Sequence, residues 1–223
     1  MLPKLIREVV EPWTGSPRDY DPLLDLVGDA HFVLLGEATH GTHEFYRERA
    51  QITKRLVCEN GFNAVAVEAD WPDAYRVHRF VRGESEDADA EEALGGFKRF
   101  PQWMWRNADV LDFVGWLREH NAGQKKYARK AGFYGLDLYS LHASIEAVLA
   151  YLAKVDPVSV ERARKRYACF DHFGQDTQSY GLATGLGMTP TCEDAVVNEL
   201  VELRLREAEY LQRDGRVAAD EFF

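Results

Sequence analysis

Cysteine is scarce: the 223 residues hold three, Cys58, Cys169 and Cys192, widely spaced and with no CxxC pair. So sparse and odd a set argues against a disulfide scaffold and fits a reducing cytoplasm. Long apolar runs are missing too. No stretch approaches the about 18 consecutive apolar residues that a membrane span needs. The N-terminal MLPKLIREVVEPW also lacks the apolar core of a signal peptide. Positive charge is in short supply, with 27 lysines and arginines against 37 acids and a net charge of −10. That balance excludes a nucleic-acid surface and an anionic membrane as partners; the acids are dispersed, as solubility requires, rather than gathered in a tail. No GxSxG nucleophile elbow occurs, and the Gly-rich GQDTQSYGLATGLGMTP does not match a phosphate-binding GxxxxGK[ST], so it reads as a connecting loop. The expectation is a soluble, cytoplasmic protein with one sizeable core or two small ones.

What is present is an alternation of strand-like and helix-like segments. Pro3, Pro12, Pro17 and Pro22 break any long helix in the first thirty residues. HFVLLGE, 31–37, is a short apolar run ended by glycine, the pattern of a strand buried on both faces. THEFYRERAQITKRLVCENG follows with helical spacing. Phe45, Ile52 and Leu56 fall on one stripe, and Asn60-Gly61 supplies the stop. FNAVAVEAD, 62–70, is a second apolar strand, so the three segments form a βαβ unit with parallel strands and a right-handed crossover. Helices are expected at 71–83, 100–121, 141–155, 158–168 and 193–212. GESEDADAEEAL reads as a solvated loop with a short helix, and a third strand is expected at 130–140. The predicted fold is α/β, a parallel sheet flanked by helices, with a helical C-terminal portion. Its parts are a lead-in segment 1–30, an α/β core 31–155 carrying the site, and a helical extension 156–223, part of an incomplete domain.

Each predicted strand ends in a carboxylate: Glu37, Glu68 and Asp137. In an open parallel sheet ligands sit beyond the carboxyl ends of the strands, and acids there must face that crevice or find partners. One acid alone could equally cap the following helix; three at three strand ends favour a site. Arg49 lies on the apolar stripe of the first helix, four residues after Phe45, where a guanidinium is costly unless it holds a carboxylate. Glu37 and Glu68 are its nearest candidates. His40 sits in the turn between strand and helix, three residues from Glu37, which could orient its imidazole and set its tautomer. His43 begins the helix proper. Glu37, His40 and Glu68, or the two histidines with Glu37, could alternatively ligate a metal, although the spacing matches no HExxH pattern. With no nucleophile near these positions, water is the attacking group and a histidine its base; neither cofactor nor metal is called for.

At these residues the sequence resembles the erythromycin esterase family. LLGEATHGTHEFYRERAQITKRL is similar to that family's Gly-Glu-x-x-His-Gly signature, and AVAVEADWPDAYRVHRFVRG, FPQWMWRNADVLDFVGWLREHN and GFYGLDLYSL look like its further segments. The resemblance runs from about residue 25 onward. It implies hydrolysis of a carboxylic ester, in the best-known members the macrolactone of erythromycin, which confers resistance. It also implies an α/β fold with a parallel sheet and a deep cleft. By position, His40 matches the base that activates water, Glu37 the acid beside it, Arg49 the site arginine and Glu68 a second acid. His43, Asp137, Trp103 and Trp105 fall in family-like segments without an assigned role.

The family pattern continues beyond GRVAADEFF and supplies a further site histidine there; His78, His142 and His172 do not match it. A fragment, a cleft completed by a partner, or a non-catalytic binding module are the resulting alternatives. The helix EDAVVNELVELRLREAEYLQ is expected to expose apolar surface, which leaves self-association as a homo-oligomer open. The expected partner is a small-molecule ester.

Overall fold

A computed structural model of the chain describes residues 10, 13–98, 102–137, 140–173, 177–188 and 191–214. Two strands, β1 (Ala64–Asp70) and β2 (Gly132–Asp137), pair in parallel. Gly135 is required by that pairing: a Cβ there would stand 2.4 Å from the Ala69 carbonyl oxygen. The chain divides into two compact units, residues 1–67 with 73–134, and residues 68–72 with 135–223.

In the first unit, α1 (Asp21–Val27) precedes α2 (His43–Glu59), the helix foreseen from its apolar stripe. The third helix, α3 (Trp71–Arg82), stops at Gly83, whose φ of +80° is the left-handed conformation that ends a helix at little cost. The short α4 (Ala90–Leu94) starts on Asp89, whose side chain accepts from Glu92 N. α5 (Ala108–Ala122) begins later than the sequence pattern suggests. Asn107 caps it, accepting from Val110 N, while Gln102–Met104 form a separate 3-10 turn; residues 99–101 lie outside the described set. Tyr46, Leu56 and Val57 of α2, Val77, Phe80 and Val81 of α3, and Val110, Val114 and Leu117 of α5 form the buried interior.

The last turn of α3 shows how closely this unit is tied. A helix leaves four carbonyls without intrahelical partners. Here Arg79 O accepts from Glu84 N, and Phe80 O accepts from Gly83 N and Arg118 Nη1. Val81 O accepts from Asn121 Nδ2 and Arg82 O from Lys130 Nζ. Side chains from α5 and from the approach to β2 thus close the end of α3.

The expected strand at 31–37 is not one. Residues 32–37 belong to no helix or strand and join no ladder. Phe32 and Leu34 are 88% and 95% exposed, whereas Val33, Leu35 and Glu37 on the alternate row are partly covered. An unbroken apolar run cannot distinguish a strand covered on both faces from one covered on a single face.

The second unit carries α6 (Leu141–Val155), α7 (Pro157–Tyr167), α8 (Thr177–Gly185), α9 (Glu193–Leu205) and α10 (Glu207–Asp214). Within the Gly-rich stretch expected as a loop, residues 177–185 are helical. The single helix expected over 193–212 breaks at Arg206. Leu152, Val155, Ala163, Leu203 and Tyr210 make an apolar cluster. Beside it Asp156, 5% exposed, accepts from the Ser159 and Tyr210 hydroxyls and from Arg206 Nη1. Burial alone would raise the Asp156 carboxyl; these three donors outweigh it and hold it below the usual range.

α9 buries a charged residue, Glu199, beside the apolar Leu203. Glu199 is buried and pairs at 2.6 Å with Arg166 of α7, which also reaches Glu202 at 2.8 Å. Val197, Leu200, Val201 and Leu205 of the same helix are exposed, as the sequence pattern foresaw. Against the expectation from cysteine count, Cys169 and Cys192 are disulfide-bonded, closing the chain around α8 with Cα atoms 6.0 Å apart.

Candidate active site

The turn between residue 37 and α2 concentrates the chemistry of the first unit. Thr42 takes the N-cap position of α2 in extended conformation but makes no side-chain capping bond, so the polypeptide enters the helix directly after His40-Gly41. His40 Nδ1 bonds Glu37 Oε1. A carboxylate only accepts, so this bond places the ring proton on Nδ1 and leaves the Nε2 lone pair turned away from the acid. Arg49, two turns along α2 from Thr42, brings Nη2 within 2.5 Å of the other Glu37 oxygen. That oxygen accepts no aligned hydrogen bond, so the contact is an ion pair rather than a directed bond. The Arg49 guanidinium is in turn stacked over the Tyr46 ring, 4.9 Å from its centroid, and Tyr46 is buried.

Burial is graded across the trio. The Glu37 side chain is 10% exposed, Arg49 26% and His40 44%. The acid is therefore held beneath an imidazole that solvent reaches, and its charge is met by a fixed cation. This is the arrangement by which a histidine is held in one tautomer and one orientation as a base toward water.

A second imidazole stands three residues away. His43, the first residue of α2, places Nδ1 2.6 Å from Asp109 Oδ2 in the first turn of α5. Asp109 was not among the residues singled out from sequence. Its signal was the Asn107 cap with an acid two residues on, which sets a carboxylate at a helix N-terminus.

Of the residues proposed from sequence, Glu37, His40 and Arg49 thus come together in the first unit. Glu68 lies on β1, in the stretch that belongs to the second unit, as does Asp137 at the end of β2. Among the described residues no group of three or more His, Cys, Asp and Glu side chains is arranged to hold a metal ion, and no helix is long and apolar enough to cross a membrane.

Comparison with known proteins places the chain further. The family model described as erythromycin esterase matches residues 57–223. An Escherichia coli protein named erythromycin esterase type II is 27% identical over 120 residues, covering 54% of this chain and 26% of that protein. The crystal structure of a succinoglycan biosynthesis protein superimposes with a TM-score of 0.69 at 26% identity, covering 98% of this chain and 54% of that one. A second solved protein, from Bacillus cereus, gives 0.66 at 23% identity, covering 95% and 50%, and bears on the fold alone. The chain therefore spans about a quarter of the length of the E. coli relative and about half of each solved relative.

Proposed function

Because the chain belongs to the erythromycin esterase family, we propose that it is a hydrolase that cleaves a carboxylic ester with water activated by His40. The observation that carries this reading is the His40–Glu37–Arg49 arrangement. Glu37 fixes the Nδ1 proton and orients the ring, so Nε2 is the nitrogen that takes a proton from water as its oxygen attacks the ester carbonyl. Arg49 keeps the Glu37 charge compensated without displacing His40, since it approaches the opposite carboxylate oxygen. No serine or cysteine nucleophile enters, so a single displacement by water gives acid and alcohol directly.

The substrate proposed is a lactone or other carboxylic ester of macrolide type, after the activity named for the E. coli relative; its cleavage would inactivate the antibiotic. The test is incubation of the purified chain with erythromycin and a panel of simple esters, followed by mass spectrometry for the gain of one water. His40→Ala should lower turnover by about 100-fold or more while the circular dichroism spectrum is kept. Turnover retained in His40→Ala would remove His40 from the role of base, and no hydrolysis of any ester would end the hydrolase reading.

A further inference from the structure

The mechanism above leaves one imidazole–carboxylate couple unused. His43 and Asp109 repeat the His40–Glu37 construction: in both, Nδ1 faces the acid, which leaves Nε2 as the outward nitrogen. In both, the acid is the covered member and the ring the accessible one, with Asp109 15% and His43 60% exposed. The two histidines are separated only by Gly41 and Thr42, so one turn of chain presents both rings at the entry to α2. The partner acids come from different places, Glu37 from the segment preceding α2 and Asp109 from α5. A purely structural clip between α2 and α5 would not need an imidazole, and the two helices already pack together, with Lys54 of α2 over the Trp116 ring of α5.

We propose that His43, held by Asp109, is a second catalytic residue of this site and donates a proton to the alcohol oxygen that leaves. The inference rests on the hydrolase reading above. The water oxygen bonds to the carbonyl carbon and its proton passes to His40 Nε2. As the carbonyl re-forms, the bond from carbon to the alkyl oxygen breaks and its electron pair goes to that oxygen, which takes the proton from His43 Nε2. His43 is then neutral, and the proton on His40 is returned through solvent.

The charged groups around His43 are in keeping with a proton donor. Asp109 accepts from Nδ1, and Glu44 lies beside it in the first turn of α2. Arg47, one turn further along α2, also feels Asp109 and is itself paired with Glu48 at 2.7 Å.

A proton donor matters most where the leaving oxygen is strongly basic and least where it is already a stable anion. The experiment therefore compares ethyl butyrate with p-nitrophenyl butyrate, using the purified chain, His43→Gln, Asp109→Asn and His40→Gln. The ratio of ethyl to p-nitrophenyl turnover should fall by about 100-fold in His43→Gln and by a smaller factor in Asp109→Asn. In His40→Gln both rates should fall with their ratio within about threefold of the parent, because attack by water is common to both esters. A structural clip would lower both rates together in His43→Gln; an unchanged ratio there overturns the proposal while leaving His40 as base. A parent chain inert on both esters overturns the hydrolase reading and this inference with it.

Discussion

Removing the amide of Asn121 should destabilise the first unit far more than an average substitution. Asn121 is 1% exposed near the end of α5. Its Nδ2 donates to Val81 O at 2.9 Å and Ala131 O at 2.8 Å, and its Oδ1 accepts from Ala131 N at 2.7 Å. The side chain thus serves as a strand-like partner for Ala131 and as the cap of one orphan carbonyl of α3. Asn121→Ala strands three backbone groups in the interior. Each unsatisfied group costs about 1–3 kcal/mol, so the sum starts near 3 kcal/mol and rises if no water enters. A water admitted into the vacated space could satisfy part of the set, which places the expected loss at about 3–4 kcal/mol. With a urea m-value of about 2 kcal/mol/M, the midpoint should fall by about 1.5–2 M. Tryptophan fluorescence reports mainly on the correct unit, since four of the five tryptophans, Trp13, Trp103, Trp105 and Trp116, belong to it. The decisive control is Asn121→Leu, which restores volume without any hydrogen bond. A leucine variant within about 1 kcal/mol of the parent would refute the polar accounting and make Asn121 a packing residue.

Two further perturbations address the site and the second unit. Glu37→Gln keeps the shape beside His40 but removes the charge that Arg49 and the imidazole share, so turnover in the ester assay should fall by about 100-fold with little change in Tm; turnover equal to the parent would deny Glu37 an orienting role. Asp156→Asn should lower the Tm of the chain at pH 7. Because the folded Asp156 carboxyl lies below its unfolded value of about 4, its contribution is full above that pH and is lost as pH falls through the folded value, so the deficit of the variant should shrink in acid; a deficit independent of pH would contradict the linkage.

Helix spacing and glycine stops carried much of the fold in plain view. The stripe of Phe45, Ile52 and Leu56 and the Gly83 stop need no tertiary knowledge, because 3.6-residue periodicity and left-handed φ act locally. Partners distant in sequence were hidden. The run at 31–37 is as apolar as β1, and whether a strand pairs it is decided elsewhere in the chain. α9 is the sharper case. Its exposed apolar residues were expected, but not that Glu199 is buried against Arg166 of α7, which also reaches the half-buried Glu202. That arginine lies 33 residues upstream of Glu199, too far for the local pattern to announce it.

The same distinction between local and distant partners governs the site. Glu37 and His40 are three residues apart, and Arg49 shares a helix stripe that has no other use for a cation, so their meeting follows from spacing and the cost of an unpaired charge. Asp109 reaches His43 across 66 residues, and nothing in the spacing of either announces the other. Family membership has a separate footing again. The family match is carried by residues 57–223, whereas the imidazole, its acid and the guanidinium lie at positions 40, 37 and 49. The two lines share no residue, so the geometry around His40 does not restate the match. The resemblance of residues 34–56 points to His40, Glu37 and Arg49, and the geometry adds that these three meet on one turn beside the His43–Asp109 pair. Substitution at His43 therefore tests something that similarity to known esterases leaves open, while substitution at His40 tests a role that resemblance and geometry both assign.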